Sequence, residues 1–241
     1  MPRGSYDYFT PTSGISAQQI DGSALLAGLG GVQPVDGKGR LYFYDTFAKG
    51  LKRWELIRSG TGSYPKLSDF LVFAPPVSVQ FSPNTELGNG SAMMRMGFIF
   101  TGNNDLGMEF AINQEAQANI FSGIMTVSDG TRNYQAELRI NPETRGLDLN
   151  TSTGYVEVMP LPLNVGTPAW LQFKFVIDTG THSYKRVIVG NKSIDVDYLI
   201  KDVGAATAGD YHLLMTFYCT GLAGSEDSTR LGYVILTTDE P

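Results

Sequence analysis

The residues of this chain that could do chemistry are oxygen donors and aromatic rings, and they are scattered rather than clustered. Asp195-Val196-Asp197, with Asp202 close behind, offers carboxylates to a hard cation such as calcium, which takes six to eight oxygens. Residues two apart share one face of a strand, so the pair also reads as a solvated edge that discourages sheet-to-sheet pairing. Glu226-Asp227-Ser228, in the loop from Gly221 to Thr229, has the same calcium reading. No other cofactor is expected. Tyr134 and Tyr155, flanked by Asn133, Gln135, Thr153 and Glu157, are the rings expected at the surface. A tyrosine there can stack on the face of a sugar while nearby amides and carboxylates bond its hydroxyls.

The remaining reactive types lack company. His182 and His212 are the only histidines, and neither has the neighbours that a hydrolytic triad or a zinc site needs. Cys219 is the only cysteine and lies in the apolar run from Leu213, which reads as a buried, inert thiol with no disulfide. Gly28-Leu29-Gly30-Gly31 has no preceding strand that would make it a dinucleotide fingerprint, and there is no P-loop.

What must position these residues is a β-sandwich. Short runs of β-branched and aromatic residues alternate with Gly, Asn, Asp and Pro turns from Leu41 almost to Pro241. Arg40 to Phe47 alternates with Leu41, Phe43 and Phe47 on one face, and Trp54 to Arg58 follows. Further strands are expected at 69–73, 77–82, 91–101, 106–113, 119–128, 132–140, 146–151, 154–159, 169–178, 184–190, 193–198, 211–219 and 230–237. A two-sheet antiparallel jelly roll, all-β, accounts for about fifteen strands over residues 40–241. Residues 1–39 form a separate docking arm. Ser16-Ala17-Gln18-Gln19 can cap a short helix there, with Ile20, Leu25, Leu26 and Leu29 as an apolar face that needs a surface to lie on.

Composition excludes several partners. A net charge of -6 and a sequence pI near 4.9 disfavour nucleic acid, whose phosphates demand a basic surface. The apolar stretch from Ala24 to Val32 is far shorter than a bilayer crossing, so no membrane insertion is expected. The opening Met-Pro-Arg-Gly-Ser-Tyr-Asp-Tyr lacks the order of a signal peptide, which favours synthesis in the cytoplasm. No period of 20 to 50 residues is visible, which disfavours a propeller or solenoid.

Two stretches carry a family likeness. Tyr44-Asp45-Thr46-Phe47 followed by Trp54-Glu55-Leu56 resembles the opening strands of concanavalin A-like lectin and glucanase sandwiches. The run from Pro168 to Asp178, led by Trp170, and then Lys185 to Lys192, is similar to a laminin G-like hairpin. The resemblance implies a lectin-like sandwich over residues 40–241. Hydrolases of that superfamily carry a Glu-x-Asp-x-x-Glu type strand, whereas Leu106 to Asn113 has Glu109 alone. A retaining glycosidase needs two carboxyl groups about 5 Å apart, so Glu109 by itself cannot carry the reaction.

The chain therefore reads as non-enzymatic. One reading is a structural or assembly protein of a virus particle, such as a phage head decoration, tail or fibre component, made in the host cytoplasm and located in the virion. Residues 1–39 would then dock on other virion subunits or on further copies in a homo-oligomer. The alternative is a carbohydrate-binding module of bacterial or phage origin, extracellular or at a cell surface, with a surface glycan as partner. A glycoside hydrolase or lyase comes third.

Overall fold

The structure is a computed structural model that describes residues 35–59, 63–69, 72–73, 77–83, 90–100, 105–114, 119–161, 170–206, 212–221 and 228–241. Sixteen strands and no helix are found among the described residues. None of their segments is a helix long and apolar enough to cross a membrane.

Sheet I runs in the order β13 (Lys192–Leu199), β12 (Ser183–Val189), β11 (Trp170–Asp178), β6 (Asp105–Gln114), β16 (Thr229–Thr238), β4 (Ser78–Ser82) and β3 (Tyr64–Ser68). β1 (Arg40–Asp45) shares the far edge of β16 with β4. β4 takes Thr229 to Leu231, β1 takes Val234 to Thr238, and a register shift lies between Leu231 and Tyr233. Sheet II runs β10 (Gly154–Pro160), β9 (Gly146–Thr151), β8 (Arg132–Asn141), β7 (Asn119–Ser128), β15 (His212–Gly221), β5 (Ser91–Ile99) and β2 (Glu55–Ser59). β14 (Lys201–Ala205) pairs with the first half of β8. The pairings are antiparallel, as hairpin connections allow.

Period-2 alternation sends Phe110 and Phe173 from sheet I, and Phe121 and Phe217 from sheet II, into one core. Phe110 stacks on Phe173 with centroids 5.7 Å apart and meets Phe217 edge-on at 5.4 Å. Burying each of these rings contributes about 2–3 kcal/mol. Gly123 on β7 makes room for them, because a Cβ there would lie 2.7 Å from Phe110 Cε1. β6 and β16 are buried on both faces, since Ala111, Tyr233 and Ile235 pack outward against Leu41, Phe73 and Trp170.

Two strands depart from the sequence reading. Asp69, Val72 and Phe73, the described part of the strand expected at 69–73, are not in a strand, and β3 lies just before them. Pro65 argues against a central strand, but among the described residues β3 pairs only with β4, and an edge strand tolerates proline. β14 also went unforeseen, because Lys201-Asp202-Val203-Gly204-Ala205 has no apolar alternation. It is held by backbone pairing to β8. The helix expected in the arm falls outside the described residues. Strand β1 begins at Arg40, and residues 35–38 lie against the outer face of sheet I.

Candidate functional site

The outer face of sheet II carries polar side chains interspersed with Met93, Ile120, Ile124 and Leu214. Phe217, Met125, Ala136 and Leu138 point into the core, so their neighbours Thr216, Ile124 and Glu137 point out. Register then builds a row across the sheet. Glu55 faces Arg95, Arg95 faces Thr216, Thr216 faces Ile124, and Ile124 faces Glu137. Beyond Glu137, Asn150 of β9 faces Tyr155 of β10. A parallel row carries Ser122, Arg139, Asp148 and Glu157.

Glu137 is the hub of this face and is only 5% exposed. Its Oε1 accepts from Ser122 Oγ at 2.7 Å. Its Oε2 accepts from Asn150 Nδ2 at 3.0 Å, Tyr155 OH at 3.0 Å and Gln135 Nε2 at 3.3 Å. Three donors crowd Oε2, whereas Oε1 takes one. The group is therefore an organiser of Asn150, Gln135 and Tyr155.

The site is also pinned from inside. Tyr184 reaches across from β12, and its hydroxyl takes the Glu137 N–H at 2.7 Å. It donates towards the carbonyls of Asn150 at 2.9 Å and Glu137 at 3.2 Å. One buried hydroxyl thus bridges β8 and β9 directly beneath the two side chains that meet above.

Two ion pairs stand on this face. Arg95 grips Glu55 with two bonds of 2.6 and 3.0 Å, and Arg139 grips Asp148 at 2.6 and 3.1 Å. The Arg139 guanidinium also lies over the Tyr155 ring, 3.4 Å from its centroid. Burial, and then the charge of Glu137, push the Tyr155 phenol up to about 12. Near neutral pH it is a hydrogen-bond donor and not a base. Its ring remains 45% exposed.

Of the two tyrosines singled out in the sequence, Tyr155 stands in this row and Tyr134 does not. Tyr134 sits on the opposite face of β8, packed against the core and stacked on His182 with centroids 3.5 Å apart. The three aspartates read as calcium ligands are not gathered. Asp195 and Asp197 lie on β13 in sheet I, whereas Asp202 lies on β14 in sheet II, paired with Arg132 and accepting from Gly204 N. No group of three or more His, Cys, Asp or Glu among the described residues could hold a metal. Glu109 is buried on the outer face of sheet I, and Val35 covers it. Cys219 is buried in the core, which pushes its thiol up to about 12. Ile20, Leu25, Leu26, Leu29 and the Glu226-Asp227 loop lie outside the described residues.

Sequence reasoning missed Glu137, Asn150 and Arg139, and named Gln135 only as a neighbour of Tyr134. The signal was present in Gln135-Ala136-Glu137-Leu138-Arg139, where every polar residue falls on one strand face. What it lacked was the neighbouring strands, since Asn150 and Ser122 reach Glu137 only through sheet register.

No protein-family model matches the chain, and no curated protein matches it in sequence. Solved structures do match in fold. An endo-beta-1,3-glucanase from Pyrococcus furiosus aligns with a TM-score of 0.55 and 11% identity, over 87% of this chain and 99% of that one. Peanut lectin, solved with a nine-residue peptide, aligns at 0.51 and 13% identity, over 81% and 96%. A carbohydrate esterase of a Shiga toxin-encoding bacteriophage aligns at 0.52 and 9% identity, over 81% and 95%. The chain has the concanavalin A-like lectin and glucanase fold, as the Tyr44-to-Leu56 and Trp170 stretches led us to expect. That fold is shared by lectins and by enzymes.

Proposed function

We propose that this protein binds uncharged carbohydrate on the outer face of sheet II, with Tyr155 as the stacking platform. The observation that carries the reading is the state of Tyr155, a ring open to solvent yet fixed at its hydroxyl by Glu137 and on one face by Arg139. A ring already immobilised loses little freedom when a sugar stacks on it. Amides of Asn150 and Gln135 and the hydroxyl of Ser122 meet the Tyr155 hydroxyl at Glu137, where they can bond sugar hydroxyls. Both arginines of these rows are engaged by Glu55 and Asp148, and Glu137 and Glu157 add negative charge, which disfavours an acidic sugar and favours a neutral one.

The same geometry favours binding without turnover. Glu137 is held by four donors and Asp148 by Arg139, which suits two carboxylates that fix their neighbours. The test is a glycan microarray on the full chain, followed by calorimetry on any ligand found and chromatography of that ligand after long incubation. Saturable binding with intact ligand supports the reading. Cleaved products would replace it with the hydrolase, lyase or esterase reading.

A second reading places this sandwich in a virus particle, attached through residues 1–39. It draws on the phage protein of like fold and on the firm seat of residues 35–38 against sheet I. The two readings are compatible, because a particle protein can itself bind glycans. Light scattering on the full chain and on a chain starting at Gln33 tests the arm while keeping the residues that dock on the sandwich. Multimers lost with the arm support assembly, and identical monomers count against it.

A further inference from the structure

A second polar cluster lies on the outer face of sheet I, buried beneath residues 35–38 and 239–241. Lys174 of β11, 1% exposed, meets Asp36 Oδ1 at 2.5 Å, Glu240 Oε1 at 2.8 Å and the Lys38 carbonyl at 3.3 Å. Arg186 of β12 meets Asp36 Oδ2 at 3.0 Å, Glu240 Oε2 at 2.7 Å and a main-chain oxygen of Pro241 at 3.2 Å. Glycine at 39 and 107 leaves space for Glu240, whose Oε1 would lie 2.4 and 2.7 Å from a Cβ at those positions. Thr237 donates to the same Glu240 oxygen. Two acids and two cations here balance.

Glu109 of β6 stands outside that balance. It is 2% exposed, and its Oε1 accepts from Val35 N at 2.9 Å and from Tyr233 OH at 2.7 Å. Tyr233 receives in turn from Gln172 Nε2 at 2.9 Å. Both direct donors are neutral. The charged groups that face it are Lys174, its register partner on β11, and Asp36 on the covering segment. Lys174 is already committed to Asp36 and Glu240. Among the described residues of this cluster three carboxylates face two cations, which leaves one buried negative charge in excess, and such a charge is costly without its own partner. Burial pushes the Glu109 carboxyl from 4.5 up to about 7, outweighing the downward pull of Tyr233, the Val35 N–H and Lys174.

We propose that Glu109 makes the attachment of residues 35–38 to sheet I responsive to pH near neutrality, holding the segment while protonated and loosening it when ionised. The inference does not depend on the ligand-binding face. When the segment lifts, Glu109 meets water and regains an ordinary acidity. The docked state therefore binds the proton more tightly, so docking is strongest below the ordinary value and weakens as pH rises through the docked one. The docking equilibrium falls by up to about tenfold for each pH unit between roughly 5 and 7. The chain before Val35 joins the sandwich through this segment, so the same proton sets how firmly it is tethered.

Hydrogen exchange on the full chain, with rates corrected for the intrinsic effect of pH, reads the docking directly. Protection across residues 35–38 should fall about tenfold or more between about pH 5 and about pH 8, while β7 stays unchanged. Glu109→Gln, neutral throughout, should abolish the fall. Constant protection in the unaltered protein, or an equal fall in the variant, would overturn the proposal. If the variant does not fold, carboxyl-carbon titration of Glu109 in the unaltered protein decides. A midpoint near 7 supports the proposal, and one below about 5 overturns it.

Discussion

The hydroxyl of Tyr155 donates to Oε2 of Glu137 at 3.0 Å, although their strands are separated by β9. The contact turns an exposed ring on an edge strand into a fixed platform. Tyr155→Phe keeps the ring and loses the tether. We expect it to weaken glycan binding by about threefold to tenfold, the cost of about 0.7–1.4 kcal/mol. Calorimetry on the variant checks this, with the fold confirmed by circular dichroism.

Glu137→Ala strips the acceptor from Ser122, Gln135, Asn150 and Tyr155 together. Buried donors left without partners cost about 1–3 kcal/mol each, tempered where water can enter. The expected loss is about 3 kcal/mol in urea denaturation, accompanied by loss of binding. A variant as stable as the parent would remove Glu137 from its place as organiser.

Tyr184→Phe removes the hydroxyl that bridges β8 and β9 from within. The Glu137 N–H and Asn150 carbonyl then lose a buried partner, at about 2 kcal/mol. Because the same backbone carries the two side chains above, ligand affinity should fall although Tyr184 touches no ligand. Denaturation and calorimetry on one preparation measure both effects.

Asp36 gives the docked segment an acid limb opposite in sign to that of Glu109. Burial raises its carboxyl, but the hydrogen bond and charge of Lys174, with the Lys38 N–H and Arg186, outweigh burial and hold it below 3.8. A depressed value means that stability is present above the unfolded value and lost as pH falls through the folded one. Protection of residues 35–38 should therefore decline below about pH 4 as well as above about pH 5. Asp36→Asn should remove the acid limb and shrink the other, because the charge of Asp36 helps to raise Glu109. Hydrogen exchange from about pH 3 to about pH 8 tests both limbs.

How much of this was legible in the sequence follows from the range of each signal. The alternation of Met94, Met96 and Phe98, or of Leu213, Met215, Phe217 and Cys219, is local, and it marked β5 and β15 directly. β14 escaped because its partner, not its composition, makes it a strand. Tyr155 could be picked from its polar neighbours, whereas Tyr134, with similar neighbours, proved to point inward by the parity of β8. Glu137 was invisible as a site because three of its four donors come from β7, β9 and β10. Likewise Glu109 read as a lone carboxylate, because its partners Tyr233 and Val35 reach it only through the pairing of β16 and the return of the chain over sheet I.

The most direct test of the account is the affinity of Tyr155→Ala for an uncharged oligosaccharide that the unaltered protein binds, measured by calorimetry with thermal unfolding as a control. Loss of the stacking ring should weaken binding by about tenfold to a hundredfold, about 1.4–2.8 kcal/mol, with little change in stability. Equal affinity in the variant, or an unaltered protein that binds no uncharged glycan, would contradict the claim that the outer face of sheet II is a carbohydrate site.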